Sequence, residues 1–161
     1  MASTSAPSTL GFGIIGVGMI ADFHAQAIAH TTGGKLVGVA TRNADNARAF
    51  AAKHGAALAT TSIDELVARP DIHVVCITTP SGAHLEPALA AFRAGKHLVV
   101  EKPIEITTER ADELIHAADA AGVRISPTRS ASRISCSVEH CSNEVGSTRP
   151  RRVSKLRTPC S

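Results

Sequence analysis

The stretch Phe12-Gly13-Ile14-Ile15-Gly16-Val17-Gly18-Met19-Ile20-Ala21 sets the reading of the whole chain, because a short apolar run broken by two glycines passes directly into a helical pattern. It predicts strand, tight turn, helix. Gly16 lets the chain reverse where a side chain would clash, Gly18 lets the backbone approach a diphosphate, and the small Ala21 lets the helix sit close against the strand. The first N–H groups of such a helix have no intrahelical acceptor and carry partial positive charge. An anion can therefore dock at Gly16, Gly18, Met19 and Ile20 without a basic side chain. The same pattern also serves as a plain turn between a buried strand and a helix.

Outward from this unit, strand and helix signals alternate. Ile20, Phe23, Ala27 and Ile28 fall at helical spacing over 19–31, and Gly33-Gly34 ends that helix. A short buried strand follows over 35–41, then a helix over 44–54 with Asn43 as cap and Gly55 as stop. A weak third strand near 57–59 precedes a short helix opened by Ser62, with Glu65 three residues on completing a capping box. Ile72-His73-Val74-Val75-Cys76-Ile77 is a near-continuous apolar strand of the sort a sheet covered on both faces demands. Helices are predicted over 83–94 and from Thr107 or Thr108 to 121, a fifth strand over 97–100, and a sixth starting at Val123-Arg124-Ile125. Six strands alternating with five helices predict a doubly wound α/β fold, a parallel Rossmann sheet in the order 3-2-1-4-5-6.

The chain has 161 residues, enough for one domain with a proper core and a modest extension. It has no apolar run long enough to cross a bilayer, and its small, polar start lacks the features of a secretory signal, so a cytoplasmic location is expected. Residues 1–9 read as a disordered lead-in. The net charge of +3 is unevenly spread: residues 1–125 carry 10 Lys and Arg against 12 Asp and Glu, and residues 126–161 carry 7 against 2. The basic character belongs to the end of the chain, and overall charge is no argument for nucleic-acid binding by the globular part.

At Ser126 the pattern breaks. Residues 126–161 hold nine Ser, six Arg and three Cys but a single Ala, with no surviving period. They read as a disordered basic tail or as an end out of the native reading frame, since the break falls inside a strand. Cys136, His140, Cys141 and Cys160 match no strong zinc spacing. His24, His30, His54, His73 and His116 also lack ligand spacing and read as surface or core-edge residues, and no metal is expected.

The opening motif, Thr79-Pro80-Ser81-Gly82-Ala83-His84 and Gly95-Lys96-His97-Leu98-Val99-Val100-Glu101-Lys102-Pro103 together resemble the N-terminal domain of the glucose-fructose oxidoreductase and inositol dehydrogenase family, Gfo/Idh/MocA, over residues 10–125. The resemblance implies NAD or NADP as cofactor and hydride exchange with a hydroxyl carbon of a sugar or polyol. It implies that Thr79, Pro80 and His84 line the dinucleotide cleft, that Glu101 sits near the nicotinamide end, and that Lys102 is the catalytic donor to the substrate hydroxyl. It also implies a second, substrate-binding domain, for which residues 126–161 offer no counterpart, so the chain is expected to be the cofactor-binding half, inactive alone. An NAD site usually ends its second strand with Asp or Glu, and here that position reads Thr41-Arg42-Asn43, which favours NADP through a 2′-phosphate near Arg42. The alternative readings are a non-catalytic dinucleotide-binding module and a polyanion binder acting through the basic tail. Oligomeric state is not legible.

Overall fold

The structure, a computed structural model, describes residues 9–128. Strand and helix alternate along them as β1 Leu10–Ile15, α1 Met19–His30, β2 Gly34–Ala40, α2 Ala44–His54, β3 Leu58–Thr60, α3 Ile63–Val67, β4 Val74–Ile77, α4 Leu85–Arg93, β5 His97–Val100, α5 Thr108–Ala121 and β6 Ile125–Pro127. The strands form one sheet in the order β3-β2-β1-β4-β5-β6. Every neighbouring pair is parallel. This is the expected doubly wound sheet.

Local chemistry sets most element ends. Asn43 Oδ1 accepts from the N–H groups of Asp45 and Asn46 at 2.9 and 3.0 Å, which starts α2. Thr107 Oγ1 does the same for Arg110 at the start of α5. Gly55 and Gly122 end their helices in the left-handed conformation. The capping box at α3 forms by half: Ser62 Oγ accepts from Glu65 N–H at 3.2 Å, but the Glu65 carboxylate accepts from Thr60 Oγ1 instead of reaching back to Ser62. Ser62 N–H donates to Thr60 Oγ1 at 3.0 Å, so the end of β3 takes over the second half of the motif.

Alternation along the strands builds two cores. Phe12, Ile14, Val74 and Cys76 face α1 and α2, packing on Ala21, Ala25, Ile28, Ala47 and Phe50. Ile15, Val75, Ile77, Leu98 and Val100 face the other way, onto Leu66, Leu85, Ala88 and Leu114. Alanines on the inner faces of α1 and α4 let those helices lie close to the sheet.

The sixth strand differs from its expected position. It begins at Ile125 and continues through Ser126 and Pro127, with Leu98, Val99 and Val100 of β5 as their partners. Ladder bonds from Leu98 N–H to Arg124 O and from Thr128 N–H to Val100 O fix the phase. Pro127 falls on the phase that faces away from β5, so the ladder to β5 needs no donor from it and the proline does not stop the pairing. The remaining tail and its cysteines and histidine, like residues 1–8, lie outside the described residues.

Candidate functional site

Parallel strands put all their carboxyl ends on one edge, and every site residue expected from the sequence follows one of those ends. Gly16, Gly18, Met19 and Ile20 follow β1, Thr41 and Arg42 follow β2, Thr79, Pro80 and His84 follow β4, and Glu101 and Lys102 follow β5. Chain order reverses at β1, which lies between β2 and β4. The crevice outside such a reversal is where open α/β sheets take ligands.

The turn after β1 is closely fitted. Gly16 has φ +90°, and a Cβ there would stand 2.9 Å from the backbone nitrogen of Thr79 and 3.0 Å from the carbonyl carbon of Thr78. Its N–H donates to Ala40 O at 2.8 Å, and its carbonyl accepts from Thr78 Oγ1 at 2.8 Å. Gly18 is the opposite case, since its backbone is extended and nothing lies within 4 Å of where a Cβ would be. No side chain caps α1, whose first backbone bond runs from Asp22 N–H to Gly18 O. The helix therefore presents its leading N–H groups beside open space, which fits a diphosphate.

A groove of about 310 Å³ leads from Val17 and Gly18 past Asp22 and Phe50 to Asn46 and Lys53 of α2. Asp22, in the first turn of α1, would oppose an anion there, but Lys53 Nζ at 2.8 Å and His54 Nε2 at 2.6 Å engage it. Those bonds, Lys53 first, hold its carboxyl below the usual range. Arg42 is exposed directly ahead of α2 and has no partner among the described residues, while Thr41 is fixed by its N–H bond to Thr60 O.

The loops after β4 and β5 are tied together. His84 was expected to line the cleft, but it is 1% exposed, with Nε2 2.9 Å from Thr79 O and Nδ1 3.2 Å from Ile104 O. Its ring lies between a backbone carbonyl of each loop, and whichever nitrogen carries the proton donates to one of them. Beside it the buried Glu105 accepts from the N–H groups of Leu85 and Ile106 and from Arg110, which also donates to Gly82 O. Burial alone would raise the Glu105 pKa, but Arg110 and the two N–H groups outweigh it and draw it from 4.5 to about 2. Thr79 Oγ1 donates to Ala83 O, and Pro80 is exposed at the loop tip.

Glu101 and Lys102 behave differently although adjacent. Lys102 is exposed, joined to Pro103 by a cis peptide, and its ammonium has no partner among the described residues. The Glu101 side chain is only 13% exposed, with Oε1 2.7 Å from Nε2 of His24 on α1. Burial favours its neutral form, but bonds from His24, Thr128 and the Lys102 backbone prevail and hold the carboxyl below the usual range.

His24 is the correction to the histidine reading: it is fully buried and belongs to the site's underside. Its signal was present in the spacing Ala21, His24, Ala25, Ile28, a helix face that must bury whatever it carries. Nothing local announced Thr78 or Glu105. Among the described residues no group of His, Cys, Asp or Glu is placed to hold a metal, and no helix is long and apolar enough to cross a membrane.

Comparison with known proteins agrees with this fold. Residues 10–128 match the Gfo/Idh/MocA family model, described as an oxidoreductase family with an NAD-binding Rossmann fold. The chain is similar to a 1,5-anhydro-D-fructose reductase of Ensifer adhaerens, with 39% identity over 70% of this chain and 34% of the relative. It is similar to an NADP(+) scyllo-inositol 2-dehydrogenase of Bacillus subtilis, with 38% identity over 70% of this chain and 34% of the relative. A crystal structure of an NAD binding oxidoreductase from Klebsiella pneumoniae superposes with a TM-score of 0.71 at 34% identity, over 76% of this chain and 35% of that one. The chain thus spans about a third of the length of the relatives it matches.

Proposed function

The chain belongs to the Gfo/Idh/MocA family of oxidoreductases with an NAD-binding Rossmann fold, and from that premise we propose that residues 10–128 bind NADP in preference to NAD, as the cofactor unit of an enzyme acting on a sugar or polyol. The observation that carries the reading is the uncapped start of α1 beside Gly18, where open space meets unpaired N–H groups at the reversal of strand order. Gly16, Gly18, Met19 and Ile20 would hold the diphosphate, and Thr41 and Arg42 the adenosine ribose with its 2′-phosphate. Thr79 and Pro80 would border the cleft, with His84 fixing their loop. Glu101 would face the nicotinamide end.

When bound, the dinucleotide supplies or takes up a hydride. This chain's contribution at the reacting end is Lys102, whose unengaged ammonium is suited to donate a hydrogen bond to a substrate oxygen and so steady charge that develops there. Enclosing a substrate takes more than one exposed lysine, so turnover is expected only where a substrate-binding domain covers this edge. Titration calorimetry with NADP and NAD tests the reading: NADP binding the tighter is the expected result, and no heat from either cofactor with folded protein would overturn it.

A further inference from the structure

His24 carries a polar ring where its neighbours on the buried face of α1 are Ala21, Ala25 and Ile28. Its Nε2 meets Glu101 Oε1 at 2.7 Å, and its Nδ1, equally buried, has no hydrogen-bond partner among the described residues. A carboxylate only accepts, so Nε2 donates. In the neutral ring Nδ1 is then a bare acceptor in the core, a position an apolar side chain would fill without loss. What the histidine adds is one bond from the helix that starts at the diphosphate site to the residue preceding Lys102.

We propose that His24 is a positioning residue: through Glu101 it holds the loop after β5 in register with α1, so that the two ends of an extended dinucleotide meet groups set at a fixed separation. This rests on the cofactor reading above. Thr128 engages Glu101 as well, so the carboxylate is held by α1 and by the end of β6 together. The consequence is specific to one half of the ligand. His24 serves the nicotinamide end and leaves the adenosine and diphosphate end untouched.

The test compares NADPH with 2′-phospho-ADP-ribose, which lacks the nicotinamide, by calorimetry and by the emission of the bound reduced nicotinamide. His24→Phe keeps a flat ring, somewhat larger, and removes the donor, and is expected to weaken NADPH about tenfold and blunt its emission change while 2′-phospho-ADP-ribose binds as before. His24→Gln, with an N–H where Nε2 stood, should restore both signals. If the Phe variant does not fold, His24→Asn, whose N–H falls where Nδ1 was and does not reach Glu101, should show the same split. Equal weakening of both ligands, no weakening of either, or a folded Gln variant that fails to recover would overturn the proposal while leaving the cofactor reading in place. Wild-type protein that binds neither ligand would sink both.

Discussion

Gly16 and Gly18 stand two residues apart and make opposite demands. At Gly16 the φ of +90° and the Thr78–Thr79 backbone at 2.9–3.0 Å exclude any side chain, so Gly16→Val should lower unfolding free energy by ~1–3 kcal/mol or more in urea titration. At Gly18 the backbone is extended and the space open, so Gly18→Val should leave the urea midpoint unchanged yet abolish NADP binding in calorimetry. A Gly18→Val variant that still binds NADP would show that the diphosphate lies elsewhere. Arg42, exposed and without partner among the described residues, can engage a 2′-phosphate at little cost in rearrangement. Arg42→Ala should weaken NADP about tenfold, the scale of one charge-assisted hydrogen bond, and leave NAD binding as it was. All three positions were readable from the chain as a turn, an open backbone and an exposed charge, because each of these is a local feature.

At the scale of elements, the loops after β4 and β5 are held by Glu105, which caps α4 in place of a local side chain. Its folded pKa of about 2 lies below the ordinary 4.5, so the unfolded chain binds more protons in between. Stability from this group is complete above about pH 4.5 and is lost as pH falls toward 2. Urea midpoints across that range should therefore drop on acidification, and Glu105→Gln should be less stable at pH 7 by ~1–3 kcal/mol while narrowing its gap to the wild type near pH 2. A constant gap at every pH would refute the assignment. The element signals were otherwise well marked: Asn43, Thr107, Gly55 and Gly122 cap and stop helices by chemistry within a few residues. The half-formed capping box at Ser62 shows the limit, since Thr60 competes for Glu65 from a strand whose end only the sheet positions.

Across the whole molecule, both cores share one sheet, so the described residues should unfold in a single cooperative transition. A ligand that binds only the folded form at about 100 times its Kd adds ~2.7 kcal/mol, which for a domain of this size raises the unfolding midpoint by roughly ten degrees. NADP should produce that rise in a thermal scan and Gly18→Val should abolish it; an unchanged wild-type midpoint at saturating NADP would contradict the proposed function. By itself the sequence determined the alternation of strands and helices, the doubly wound parallel order, and the edge on which Gly16, Arg42, Thr79 and Lys102 gather, because periodicity, caps and glycine stops are local and parallel strands leave their carboxyl ends together. Only the tertiary structure decided that His24 meets Glu101 across 77 positions, that Glu105 caps a helix beginning 20 residues earlier, that His84 turns inward, and that Pro127 continues an edge strand. Those outcomes depend on which remote groups a shared sheet brings within hydrogen-bond distance, and no local pattern in a chain encodes the partner of a buried polar side chain.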